Sequence, residues 1–342
     1  MNKEEMCKCQ SISRRQFLKC ISGAAASAIW LGSCDKETTN PDNPEEPSFL
    51  SPRIKATNPF VTNDGKPILV CVTGTDFSEM LSEGLAALGG LNKLIGASDD
   101  VLIKPNCNAA EPYPGMSDVN SLVATVKEVQ KVTSGTVSVA DQGYEPAPGV
   151  YSYSKMDPLI NMAGADLVVM SQTYPVKRNG WSLNTENLNV YSAIYDAPII
   201  INSCVLKRHH TAEHTCALKN NVGTVSGPGM VSTRYYLHRD ALDFKETLAE
   251  IAFAVNPELN IVDARTVLTA AGPSYYSGVP VQANKVVICG DIVAADMYCQ
   301  EILADLDHGF APEGIGGATD YAETLGLGTK DLNQIEIIEI SI

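Results

Sequence analysis

Three of the five histidines of the chain fall within residues 204–223, beside Lys207, Lys219, Cys204 and Cys216. His210 and His214 stand four apart; on a helix they would share one face, a spacing that suits one metal ion, with Glu213 or a strand-end aspartate completing the shell. His209 would point elsewhere on such a helix. The same residues fit a second chemistry, in which Lys207 and Lys219 hold a carboxylate or phosphate while a histidine moves a proton. A third reading is a polar loop whose histidines satisfy backbone groups. The order His-Thr-Ala-Glu-His is not the His-Glu-x-x-His of a zincin. Cys204 and Cys216 would allow redox work if their sulfurs lie close to each other or to a metal.

Further polar residues stand where apolar runs end. The segment Val101-Leu102-Ile103-Lys104-Pro105-Asn106 delivers a lysine and an amide at the end of a buried strand, and Val139-Ala140-Asp141-Gln142-Gly143 delivers a carboxylate. Lys104 suits an anionic ligand and equally suits solvation; Asp141 suits a site and equally suits a turn. Asn202, Asp263 and Asp291 repeat the pattern. In open α/β sheets, loops at the carboxyl ends of the strands converge on one crevice, so such residues can meet there.

The elements that would position them alternate. Strands are predicted at 68–72, 101–103, 137–140, 167–170, 199–201, 261–263, 286–289 and 335–340. Helices are predicted at 77–88, with Asp76 as cap, at 119–132, opened by Ser117, at 242–255 and at 292–303. Strands alternating with crossover helices imply an α/β fold with a mostly parallel sheet and helices on both faces, as one domain or as two interlocked α/β subdomains.

The first 33 residues read as a signal peptide with two instructions. Ser13-Arg14-Arg15-Gln16-Phe17-Leu18-Lys19 is a twin-arginine export pattern, and Leu31-Gly32-Ser33-Cys34 is a lipoprotein box with Cys34 as the lipidated residue. The apolar stretch between them is about half the roughly 20 residues that span a bilayer. Residues 34–60 are polar and rich in proline and read as a flexible acidic tether; residues 61–342 form the α/β domain. The expected location is the cell envelope, on the periplasmic or cell-surface side, with the lipid on Cys34 holding the protein to a membrane. The twin-arginine and lipoprotein-processing machineries are the implied partners.

The chain carries 25 Lys+Arg against 40 Asp+Glu, a net charge of −15. Loss of a leader that holds five basic and two acidic residues makes the remainder more acidic still. Such a surface repels phosphate backbones, which excludes nucleic acid as a partner. Six of the ten cysteines, Cys71, Cys107, Cys204, Cys216, Cys289 and Cys299, lie beyond Cys34. None forms a Cys-x-x-Cys pair, so an iron–sulfur cluster is not expected, whereas a metal ion held by histidine and carboxylate is compatible with the pattern. Cys71 and Cys289, within apolar runs, read as buried thiols.

Taken in order, these segments resemble the family of domain of unknown function 362, over roughly residues 68–325. The resemblance rests on Val101–Asn106, on Val139–Gly143 and above all on Leu206-Lys207, then His210, then Ala217-Leu218-Lys219-Asn220-Asn221-Val222-Gly223. It continues in Arg234-Tyr235-Tyr236-Leu237-His238 and in Asp291-Ile292-Val293-Ala294-Ala295-Asp296. It implies that Lys104, Asn106, Asp141, Lys207, His210, Lys219, Asn220, His238, Asp291 and Asp296 are family positions, although aspartates of the late block equally suit helix capping. The ferredoxin-like module of many members is missing here. The combined expectation is an exported lipoprotein enzyme that binds a small anionic ligand. In it Lys104, Lys207 and Lys219 hold the anion, Asn106 and Asn220 orient it, and His210 or His238 works with Asp141. A non-catalytic ligand-binding or adhesive surface lipoprotein is the alternative, and convergence of these residues in one pocket separates the two.

Overall fold

Along each central strand, successive residues feed two different cores. Leu69 and Cys71 pack on one face of the sheet and Val70 and Val72 on the other; Leu102 opposes Val101 and Ile103, and Val287 and Cys289 oppose Val286 and Ile288. Side chains alternate across a strand, so an unbroken apolar run is what a sheet covered on both faces requires. Each such buried side chain contributes about 1.5–3 kcal/mol. The computed structural model describes residues 49–177, 188–226, 241–270 and 272–342. Arg14, Arg15, Cys34 and His238 lie outside the described residues.

The described strands are β1 (Ile68–Thr73), β2 (Val101–Lys104), β3 (Val137–Ala140), β4 (Asp166–Val168), β5 (Thr173–Val176), β6 (Leu188–Tyr191), β7 (Ile199–His209), β8 (Glu213–Thr215), β9 (Val225–Ser226), β10 (Leu259–Ala270), β11 (Gly278–Cys289) and β12 (Glu336–Ser341). The main sheet runs β12-β1-β11-β10-β7-β2-β3-β4, with β8 hairpinned onto β7. Only β11 and β8 run antiparallel to their neighbours in it. Helices Phe77–Ala87 and Val119–Gln130 cover one face, and Ala241–Val255 and Ile292–Leu306 the other. The fold is α/β with a mostly parallel mixed sheet. A small antiparallel sheet, β5-β6-β9, accompanies it. Among the described residues, no helix is long and apolar enough to cross a membrane.

Helix caps follow the sequence except at one point. Asp76 accepts the Glu79 N–H at 3.0 Å, as expected. Asp118, not Ser117, caps helix Val119–Gln130, accepting the Asn120 N–H at 3.0 Å. Ser117 is turned to the site instead, where its hydroxyl accepts the Asn106 N–H at 2.9 Å.

The segment expected to be a tether up to residue 60 is docked from Phe49 onward. Leu50 bridges to Val176, Phe60 is wholly buried, and Arg53 is 3% exposed. The Arg53 guanidinium pairs with Glu258 at 2.8 Å and donates to the carbonyls of Ala197, Pro198, Val255 and Asn256. A planar five-donor fork can satisfy all these acceptors at once, which lysine could not. Polar composition concealed the docking because its anchor is a charged residue buried in a cluster of helix and strand ends. Removing one partner leaves the other charge buried and unpaired, so Arg53→Ala is expected to cost about 3–5 kcal/mol. A urea unfolding midpoint that does not move would refute this anchoring role.

Candidate functional site

β7 overruns its neighbour β2. Register pairing between them stops at Lys104 and Asn202, while β7 continues to His209 and turns back as β8. Lys207 and His209, two residues apart on this overhang, therefore share one side of the strand. Both line a pocket with Asn106, Asn108, Asp141, Gln142, Gly143, Thr215, Lys219, Asn220, Val222, Gly223 and Pro273. Its empty volume is about 400 Å³ with the open mouth included. Asn108 is exposed and Gln142, Lys219 and Pro273 are half-buried at the rim, whereas Asp141, Lys207 and Asn220 are buried at the floor.

The floor is a row of amides. Lys207 Nζ donates to Asn106 Oδ1 at 3.3 Å, Asn106 Nδ2 to Asn220 Oδ1 at 2.9 Å, and Asn220 Nδ2 to Asn202 Oδ1 at 2.8 Å. The row continues from Asn202 Nδ2 to Asn260 Oδ1 at 2.9 Å and ends where Asn260 Nδ2 donates to the Cys289 carbonyl at 3.2 Å. Asn202 and Asn260 are register partners on adjacent parallel strands, which brings their side chains together on one face. Lys207 also donates to the Gly115 carbonyl.

Beside the row, Lys104 Nζ pairs with Asp141 Oδ1 at 2.8 Å, both side chains out of solvent. Asp141 also accepts the N–H groups of Cys107 at 2.7 Å and Gln142 at 2.9 Å. Gly223 lies against this pair so closely that a Cβ there would meet Asp141 Oδ1 and would come within 2.9 Å of Lys104 Nζ. Glycine is required by that approach, not by its backbone angles.

Burial pulls the Lys207 amine down to about 8, against the raising influence of Glu111, Cys107 and Asp141. His209 Nδ1 accepts the N–H groups of Thr211 at 3.1 Å and Ala212 at 3.0 Å. An Nδ1 that accepts carries no proton, so the neutral ring holds its hydrogen on Nε2.

The residues singled out by sequence thus divide. Asn106, Asp141, Lys207, Lys219 and Asn220 meet at the pocket, and Lys104 supports it from beneath through Asp141. His210 does not join them; it is exposed at the hairpin turn and stacks on His209, with ring centroids 4.8 Å apart. The helical face imagined for His210 and His214 does not exist, because the segment is a β-hairpin. His214, paired with Arg208 across that hairpin, is buried against Phe310, and its Nε2 lies 3.3 Å from Asp296 Oδ2. Burial pushes the Asp296 carboxyl up to about 8; burial lowers the His214 imidazole, but the Asp296 hydrogen bond and charge together with the charges of Glu313 and Cys216 outweigh it and raise the ring to about 9. Asp291 caps helix Ile292–Leu306 by accepting the N–H groups of Val293 and Ala294, each at 2.9 Å. Cys204 and Cys216 are buried thiols that hydrogen-bond each other. Among the described residues, no group of three His, Cys, Asp or Glu side chains could hold a metal ion.

His209, Thr215, Gln142 and Gly223 are site residues that sequence reasoning passed over. The usable signal for His209 was a period of two from Lys207, which a helical reading of the segment hides.

Fold and site together define an α/β protein whose pocket opens at the carboxyl edge of a mostly parallel sheet. The family described as Domain of unknown function (DUF362) matches residues 101–301, more than half of the chain, and the chain belongs to that family. The thylakoid-associated protein sll1697 of Synechocystis sp. is 27% identical over 225 residues, covering 64% of this chain and 67% of that protein. Among solved structures, the lactate racemase apoprotein from Thermoanaerobacterium thermosaccharolyticum aligns with a TM-score of 0.41 at 12% identity over 63% of this chain. The chain spans about half of that structure, 53%.

The lowered Lys207 amine has a consequence for stability. Between pH 8 and the ordinary lysine range the unfolded chain binds a proton that the folded chain does not, so stability contributed at this position rises with pH through that window. The expected rise is about 1.4 kcal/mol per pH unit inside the window, set by the Lys207 shift alone. Urea midpoints at pH 7.5 and 9.5 should show a smaller upward change in Lys207→Met than in the parent; parallel curves would refute a depressed Lys207.

Proposed function

We propose that the pocket binds a small anionic ligand. One observation carries this reading: in a chain of net charge −15, the pocket wall presents Lys207 and Lys219, while the carboxylate among them, Asp141, is already matched by Lys104. Two lysines on one wall, beside the amides of Asn106 and Asn220, offer N–H donors suited to a small anion. Asn106 and Asn220 orient the ligand, and Lys104 with Asp141 is a positioning pair that holds the floor. The histidine of the pocket wall is His209 in place of the expected His210, and its ring is fixed by two backbone donors.

Differential scanning with inorganic phosphate, lactate and pyruvate tests the reading. Each stabilising anion raises the unfolding midpoint, Lys219→Ala weakens its binding roughly tenfold, and His209→Asn leaves binding largely intact. Midpoints that ignore all three anions would sink the proposal.

We further propose export through the twin-arginine pattern and lipid anchoring at Cys34 in the cell envelope. The leader motifs support this. Arg14→Lys with Arg15→Lys is expected to retain the precursor in the cytoplasm, and Cys34→Ala to release processed or unprocessed protein from lipid labelling. Undiminished incorporation of labelled palmitate into Cys34→Ala would refute the anchor.

A further inference from the structure

Two buried lysines approach the same pocket and are treated differently. Lys104 is paired with the Asp141 carboxylate at 2.8 Å. Lys207 has only neutral acceptors, Asn106 Oδ1 and the Gly115 carbonyl. Among the described residues no carboxylate lies within ion-pair distance of Lys207, and its side chain lines the pocket.

We infer that Lys207 is a nucleophile that condenses with the carbonyl carbon of a small 2-oxo acid bound in this pocket. The inference rests on the anion-binding reading above and names the ligand class for it: a carboxylate held beside Lys219, with a carbonyl group directed to Lys207. Burial also holds the Lys207 amine near neutrality, which increases the unprotonated fraction at physiological pH.

The step balances without any oxidant or reductant. The Lys207 nitrogen lone pair forms the N–C bond while the carbonyl π pair moves to oxygen. A proton passes from nitrogen to that oxygen to give a carbinolamine. The nitrogen lone pair then expels the hydroxyl group, which leaves as water after taking a second proton, and the nitrogen gives up its remaining hydrogen. Amine and carbonyl thus become imine and water. The second proton comes from the solvent at the open mouth of the pocket, and the hydrogen given up by the nitrogen returns to it.

The test treats the full-length protein with glyoxylate, pyruvate or 2-oxoglutarate in the presence of borohydride, with lactate as a control that lacks a carbonyl able to condense. Intact mass and peptide mapping are expected to find one reduced adduct on Lys207, at a yield roughly tenfold or more above that of any exposed lysine, because the pocket supplies proximity. The adduct should be absent with lactate and absent from Lys207→Arg. If no oxo acid marks Lys207 while lactate and pyruvate both still raise the unfolding midpoint, the imine inference is overturned and the anion pocket stands. If there is neither adduct nor stabilisation, both readings fall. Adducts spread over surface lysines at equal yield in Lys207→Arg also overturn the inference.

Discussion

Everything at the site hangs on a row of buried amides that can run in only one direction. Lys207 donates at one end, and the Cys289 carbonyl, which has no hydrogen, accepts at the other. Between them, Asn106, Asn220, Asn202 and Asn260 are each obliged to present oxygen toward Lys207 and nitrogen away from it. Turning one amide over would set donor against donor and acceptor against acceptor at its two neighbours, each mismatch costing about 1–3 kcal/mol in the interior. The row ties β11, β10 and β7 to helix Ala217–Asn220 and to the turn after β2. The pocket floor is thus continuous with the middle of the sheet, and its geometry is set there and not by the loops around the mouth.

That continuity also explains which parts of the molecule could be read from the sequence. The central strands were legible because covering both faces demands uninterrupted apolar runs, as in Val101–Ile103 and Val286–Cys289. Lys104, Asn106 and Asp141 were legible as polar residues placed directly after such runs. β7 was seen only as residues 199–201, because Asn202, Lys207, Arg208 and His209 interrupt its apolar character while the backbone continues to Ile199–His209. The polar interruptions are the site itself. Reading the next residues with a helical period then paired His210 with His214, where a period of two would have paired Lys207 with His209. Arg53 was missed for a related reason, since a buried arginine has no local signature and is explained only by carbonyls and a carboxylate more than 140 positions away.

The charge distribution gives the pocket its character. The chain is strongly acidic, yet two of its lysines are buried side by side in the interior of the site. Desolvating an ammonium is expensive, and the molecule meets that cost in two ways: a carboxylate partner for Lys104, and neutral amide and carbonyl oxygens for Lys207. The first produces a fixed ion pair that shapes the floor. The second leaves a cation whose charge is weakly held, which makes Lys207 sensitive to whatever enters the cavity.

The tight fit of Gly223 against the Lys104–Asp141 pair separates the pocket into parts with different freedom to diverge. At Gly223 even one methyl group would collide with the ion pair, and each amide of the row is bound by its two neighbours, so piecemeal substitution of the floor is blocked. Asn108 and Pro273 at the rim stand outside that row and that contact. Descendants of this scaffold can therefore change the rim residue by residue, while inheriting one floor that varies only if several residues change together.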